Sequence, residues 1–154
     1  LPKNTYVVSV ETSHTLPGAE LGGGVVIRTG DGGTTFDHEA ESFLKRAASE
    51  LAKTDPEFKV QRQLMSGGSC EATAFAGYGY QVTGTSFPLG NWHNGLVQKV
   101  LEPEQIHMND FLSGAKLLCR VAELTGTPIP TPAWLRAQLD EEIGRLRQMP
   151  VDRA

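Results

Sequence analysis

Basic charge is scarce in this chain. Fourteen Lys and Arg stand against eighteen Asp and Glu, a formal charge of −4 at neutral pH. No Lys/Arg stripe interleaves with aromatics, so a nucleic-acid groove is excluded and loose phosphate binding is disfavoured. Cysteine is nearly absent: Cys70 and Cys119 stand alone, without C-x-x-C spacing. A structural zinc or a disulfide framework is a poor reading of that pair, and two buried thiols in a reducing, cytoplasmic compartment a better one. No apolar run approaches the roughly 20 residues of a membrane span, and no signal peptide is recognisable, so no membrane partner is expected. The missing initiator Met at Leu1 agrees with a piece cut from a longer chain.

What is present is one domain's worth of sequence. With 154 residues, 39% of them hydrophobic and 21% charged, the composition is that of a globular protein. A chain of this length buries roughly two-thirds of its unfolded surface.

Apolar and β-branched runs predict strands at Thr5–Glu11, Gly24–Arg28, Lys59–Leu64 and Gly79–Phe87, the last stopped by Pro88 and the first buried on both faces. Phe36, Ala40, Phe43, Leu44, Ala47, Ala48 and Leu51 recur at three- and four-residue steps, which predicts a helix from Phe36 to Lys53 with Asp37 as its N-cap. Gly67-Gly68 marks a turn into a short helix over Cys70–Ala76. Asn109 or Asp110 caps a further helix, whose apolar face reads as Phe111, Leu112, Ala115, Leu118, Ala122 and Leu124. After Thr127-Pro128-Ile129-Pro130, Thr131 and Pro132 open a last helix striped by Leu135, Leu139, Ile143 and Leu146. That helix packs on its own domain or meets a neighbouring subunit. Strands alternating with helices predict a three-layer α/β sandwich with a mixed, partly parallel sheet flanked by helices.

Two residues carry the clearest chemistry. Glu11 ends the first strand, and His93 lies in Asn91-Trp92-His93-Asn94 just beyond the fourth. Ligands in open α/β sheets gather beyond the carboxyl ends of strands. Each residue also has a plain alternative: a solvated loop acid, and a histidine hydrogen-bonded beside Trp92. Two residues do not complete a catalytic zinc site, which takes three protein ligands and an open position. His14 reads as a loop histidine, though it could be a second ligand. Gly67-Gly68-Ser69-Cys70-Glu71 is a glycine-rich turn entering a helix N-terminus, with Glu71 an electrostatic cap or a pocket residue. It lacks the Lys of a P-loop and the dinucleotide spacing. Asp31 and Asp37 lack the alternating ligands of a calcium loop. Ser66 and Ser69 have no nucleophile-elbow context, and no paired carboxylates nominate a glycosidase.

Taken in order, Val8–His14, Val26–Asp31, Gly67–Thr73, Pro88–Asn94 and Ile106–Phe111 resemble the C-terminal part of the glutamyl aminopeptidase family, endoglucanase-like cocatalytic two-metal aminopeptidases. The resemblance runs from about Thr5 to Thr125. It implies residues 1–126 as the C-terminal part of a zinc-aminopeptidase-like catalytic domain, and 127–154 as a helical extension. It also implies that Glu11 binds one metal ion and His93 the other. The ions are zinc, with cobalt or manganese possible, and the substrate is a peptide. The family more often carries Asp at the first position. Before the histidine it commonly has an arginine and an aromatic, where this chain has Gly90-Asn91-Trp92. On the same resemblance Gly67, Gly68, Ser69 and Glu71 border the substrate pocket, and Arg28 and Arg62 are candidates for a substrate carboxylate. The family's other ligands, its general-base glutamate and its dimerisation domain lie upstream of the matched stretch. The isolated chain is therefore expected to be inactive, and the intact enzyme to be a homo-oligomer. The rival expectation is a non-catalytic binding or assembly module on the same scaffold.

Overall fold

A computed structural model describes residues 1–95, 99–126 and 133–148, apart from the side chains of 133–135 and 146. Its strands are β1 (Tyr6–His14), β2 (Val25–Asp31), β3 (Val60–Met65), β4 (Gln81–Gly90) and β5 (Gln105–Ile106). Its helices are α1 (His38–Thr54), α2 (Glu71–Gly77), α3 (Trp92–Gly95), α4 (Met108–Leu124) and α5 (Ala133–Gln148). The sheet is mixed, as expected, in the order β1-β4-β2-β3, with β5 paired to β4. β1 runs parallel to β4 and β2 parallel to β3, while β2 and β5 are antiparallel to β4. Among the described residues, β1 has no partner on its outer edge.

The pleat sorts β2 onto two faces. Val25 and Ile27 join Leu44, Ala47, Ala48, Phe58, Leu117 and Leu124 in the main core, under α1 and α4. Val26 packs instead with Ala19 and Met65, and Phe36, Ala72 and Val82 form a further cluster at α2. Asp37 caps α1 as expected, its carboxylate accepting from the N–H of Ala40 at 2.8 Å.

Several sequence expectations need correction. β1 continues past Glu11 to His14, because its parallel ladder with β4 holds register from Tyr6↔Gln81 to His14↔Leu89. Glu11 therefore lies inside a strand. β1 is also covered incompletely: Val10 is 45% exposed, as befits an outer strand. β4 runs through Pro88 to Gly90. Pro88 falls between the stretch paired with β2, at Gly84–Ser86, and that paired with β5, at Leu89–Gly90, so its missing N–H interrupts neither antiparallel ladder.

His107, not Asn109 or Asp110, caps α4, its Nδ1 accepting from the N–H of Asn109 at 3.2 Å. Asp110 is fully buried, and its carboxylate accepts from the N–H groups of Gly22 (2.9 Å) and Gly24 (2.7 Å). The buried face of α4 is Asp110, Ser113, Gly114, Leu117 and Leu124, whereas Phe111 and Leu112 are exposed. Gly114 sets that rotation, because a Cβ there would collide with the Phe87 ring. Cys119 lies on the outside of α4 and Cys70 is half-buried, so the two thiols do not share a core. On α5 Leu139 and Ile143 are exposed. Thr131 and Pro132 lie outside the described residues, as do the side chains of Leu135 and Leu146.

Candidate functional site

One row of the sheet organises the site. Ser9 of β1 pairs with Gly84 of β4, and Gly84 pairs on its other side with Arg28 of β2. The Arg28 stem passes Gly84, where a Cβ would meet Arg28 Cδ at an ordinary 3.6 Å and crowd Phe36 Cε2 at 3.2 Å. Arg28 is only 2% exposed. Its Nη1 donates to Glu11 Oε1 at 2.7 Å and approaches Cys70 Sγ at 3.3 Å, and its guanidinium lies 5.5 Å from the Phe36 ring centroid. Ser9 Oγ donates to the same Glu11 oxygen at 2.9 Å. A carboxylate that has lost most of its water is held in place by a permanent cation and a hydroxyl.

Beyond this row opens a cavity of about 310 Å³. Glu11, Ser13, His14 and Arg28 line it from β1 and β2, Gly67, Gly68 and Ser69 from the loop before α2, and Trp92 and His93 from α3. Glu11 and His93, 82 positions apart by their numbers, thus share one cavity. Gly67 has a steric reason to be glycine, since a Cβ there would stand 2.5 Å from His14 Nε2.

His93 is presented by an unusual backbone. Asn91, His93 and Asn94 have φ of 53°, 53° and 57°, in the left-handed region. Asn tolerates it better than most residues, which suits the Asn-Trp-His-Asn sequence, but His93 is strained there. The loop is pinned from outside: Glu104 Oε1 accepts from the His93 N–H at 2.8 Å, and Asn91 Nδ2 donates to the Pro103 carbonyl at 2.9 Å. The His93 ring stacks on Trp92 at 3.8 Å, and His14 meets the same indole edge-on at 5.3 Å.

The Gly67–Ser69 loop is braced by Asp31, which does not itself line the cavity and which the sequence suggested only for calcium. Asp31 accepts from the N–H groups of Gly33 (2.8 Å), Thr34 (3.0 Å) and Cys70 (2.9 Å) and from Thr73 Oγ1 (2.6 Å). Burial pushes its carboxyl up, but these four hydrogen bonds outweigh burial and hold it well below the usual carboxylate range. The Gly32 N–H donates to the Gly68 carbonyl at 2.7 Å, which completes the tie between the two loops.

Among the described residues, donor atoms of Glu11, Cys70 and Glu71 lie within 4.8 Å of one another. Carboxylates suit a divalent ion, but Cys70 suits it poorly here. Burial pushes its thiol up, against the neighbouring Arg28 cation, and a protonated thiol is a weak ligand. Glu11 and His93, carboxylate and imidazole on one cavity, are donors of the kind zinc takes, but among the described residues His93 belongs to no group of three close donors. Arg62 has another occupation. It is paired with the buried Glu41 through Nε at 2.5 Å and Nη2 at 3.2 Å, and it does not line this cavity. Arg28, also expected to face substrate, is committed to Glu11. Sequence reading missed Ser13 and Trp92, which line the cavity, and Asp31, which braces its loop, whereas Cys70 fell within the Gly67–Glu71 stretch expected at the pocket; only the Gly-Asp-Gly-Gly and Asn-Trp-His-Asn clusters hinted at special backbone there.

No protein-family model matches the sequence, and no curated protein matches it. Solved structures do. The TET1 peptidase of Pyrococcus horikoshii, which can assemble into a tetrahedron or a large octahedral shell, is similar with a TM-score of 0.59 and 22% identity over 76% of this chain and 32% of its own. A TET aminopeptidase from a marine-sediment Thaumarchaeota archaeon gives 0.54 and 16% over 78% and 32%. An aminopeptidase of Thermotoga maritima gives 0.55 and 20% over 77% and 29%. This chain spans about a third of the length of those proteins, and over that third it has their fold.

Proposed function

We propose that this chain is part of a longer metal-dependent peptide hydrolase of the glutamyl aminopeptidase-like kind, in which Glu11 and His93 each hold one of two divalent ions. Zinc is the first choice, with cobalt or manganese as substitutes. The supporting observation is that Glu11 and His93 line one cavity, on a fold shared with aminopeptidases. Bound divalent ions would supply Lewis acidity toward the scissile carbonyl and the attacking water. The chain's own residues bind and orient. Arg28 and Ser9 fix Glu11, Trp92 backs the His93 ring, and Gly67, Gly68 and Ser69 border the space for a peptide; Glu71 does not line that cavity and stands near Glu11 and Cys70.

The open outer edge of β1 and the one-third span of the similar structures support a longer enzyme. With two ligands and no separate general base assigned, the isolated chain is inactive in this reading. In this reading the intact protein is a cytoplasmic homo-oligomer, a proposal supported for the assembly by the similar TET1 peptidase, which can assemble into a tetrahedron or a large octahedral shell. Among the described residues no helix is long and apolar enough to cross a membrane.

Metal analysis of the purified chain after dialysis against zinc, with Glu11→Ala and His93→Ala beside it, tests the ligand assignment. Weak binding by the parent and loss in each variant is the expected result. Retention in both variants would remove Glu11 and His93 from the site. Chelator-sensitive release of amino acids by the isolated chain would show that the catalytic groups lie elsewhere in it. One observation favours the rival reading of a non-catalytic module: Glu11 already carries a cation, Arg28, at 2.7 Å. Absence of zinc binding by the parent chain would favour that module.

A further inference from the structure

We infer that Arg28 is an internal counter-ion that holds Glu11 in the metal-free chain, and that a divalent cation must compete with it for that carboxylate. The inference rests on the proposed metal role of Glu11 and concerns how that site is loaded.

Three features of the fold carry it. The first is the Ser9–Gly84–Arg28 row, in which the guanidinium reaches from β2 past Gly84 of β4 to β1. The second is the way Glu11 is held: Arg28 Nη1 and Ser9 Oγ both donate to Oε1, at 2.7 and 2.9 Å. The third is the burial of the cation. The Arg28 side chain is 3% exposed against 24% for Glu11, and its Nε has no hydrogen-bond partner. A buried guanidinium with an unmet donor is costly to keep without a compensating anion, and Glu11 is the only carboxylate bonded to it among the described residues.

A guanidinium is a permanent cation. A divalent ion approaching Glu11 therefore meets a fixed positive charge a few ångströms away, in surroundings that screen it less than bulk water. The same residue has opposite effects on the two states. Without metal it neutralises a half-buried carboxylate whose other hydrogen-bond donor is the Ser9 hydroxyl; toward metal it lowers the affinity of Glu11. Arg28 is a positioning residue in this scheme and touches no reacting atom.

Isothermal titration of zinc into chelator-stripped chain, at one pH and ionic strength, tests the competition. Thermal melts with and without zinc accompany it. Arg28→Met preserves the stem over Phe36 and removes the charge. It is expected to melt lower than the parent without metal, to bind zinc at least tenfold tighter, and to gain more melting temperature from zinc than the parent does. Arg28→Lys keeps the charge and is expected within about threefold of the parent affinity. Arg28→Gln, neutral but still a hydrogen-bond donor, supplies the same comparison if the Met variant does not fold. Equal or weaker zinc binding in a folded neutral variant, with binding still lost on Glu11→Ala, overturns the counter-ion inference and leaves the metal site standing. No zinc binding by the parent or by any neutral variant overturns both.

Discussion

Asp31 Oδ2 accepts the backbone N–H of Cys70 at 2.9 Å, which fastens the end of β2 to the start of α2. The same carboxylate takes the Gly33 and Thr34 N–H groups and the Thr73 hydroxyl, so one side chain organises both loops beside the cavity. Ser69, which lines the cavity, sits next to the residue that Asp31 holds. Site geometry on this side is thus set by an anion that does not itself line the cavity.

Replacing Asp31 by Asn keeps the shape but removes the charge behind those hydrogen bonds. The expected loss is about 2–3 kcal/mol at neutral pH. The pH dependence follows from the lowered folded-state value. A carboxyl with a depressed folded pKa contributes stability that is complete above its unfolded pKa, about 3.9 for Asp. That contribution is lost as pH falls through that value toward the folded one. Urea melts of parent and Asp31→Asn should differ by a constant amount between pH 7 and 5, and the gap should shrink below about pH 4. A gap that widens on acidification would mean that Asp31 is not the group being titrated.

The left-handed turn at Asn91–Asn94 supplies a second prediction. Glycine adopts φ near +57° without the side-chain penalty, so Asn94→Gly should leave stability unchanged or raise it by up to about 1 kcal/mol. His93→Asn also suits the backbone but removes the ring that stacks on Trp92, a loss of about 0.5–1.5 kcal/mol. Zinc binding, if His93 is a ligand, should survive Asn94→Gly and disappear in His93→Asn. Melting curves and metal titrations on the same two proteins separate the strain of the turn from the role of the imidazole.

Local pattern made much of the fold legible. The β2 apolar run and the α1 stripe with its Asp37 cap specified their elements, because in each case one segment of sequence contains the determining physics. Readings failed where the determinant lay elsewhere in the chain. Pro88 suggested a stop, yet β4 continues, since what matters is which neighbours pair on either side of it. α4 turns a different face inward because Gly114 meets Phe87 and Asp110 meets the Gly22–Gly24 loop. Arg28 and Arg62 read alike as candidates for a substrate carboxylate. Their partners, Glu11 and Glu41, sit 17 and 21 positions away, and Arg28 reaches Glu11 past Gly84 in a third strand. Glu11 and His93 were legible as candidates from the motifs around them. The cation beside Glu11 was not.

The outer edge of β1 yields the last prediction. This strand is nine residues long and pairs only with β4 among the described residues. Between Tyr6 and His14 it contains no Lys and no Pro, the devices that commonly keep an open edge from recruiting another strand. Val10, 45% exposed, alternates with buried Ser9 and with Glu11, so its side chain points to the face opposite the candidate site. A lysine there should discourage strand addition without disturbing Glu11. The purified parent chain is expected to show a concentration-dependent mass by sedimentation, and Val10→Lys a smaller, constant one. The monomer's melting temperature should change by no more than about 0.5 kcal/mol would produce. Matching sedimentation of the two proteins across the same concentration range would exonerate this edge and move the search for self-association to α5, where Leu139 and Ile143 are exposed.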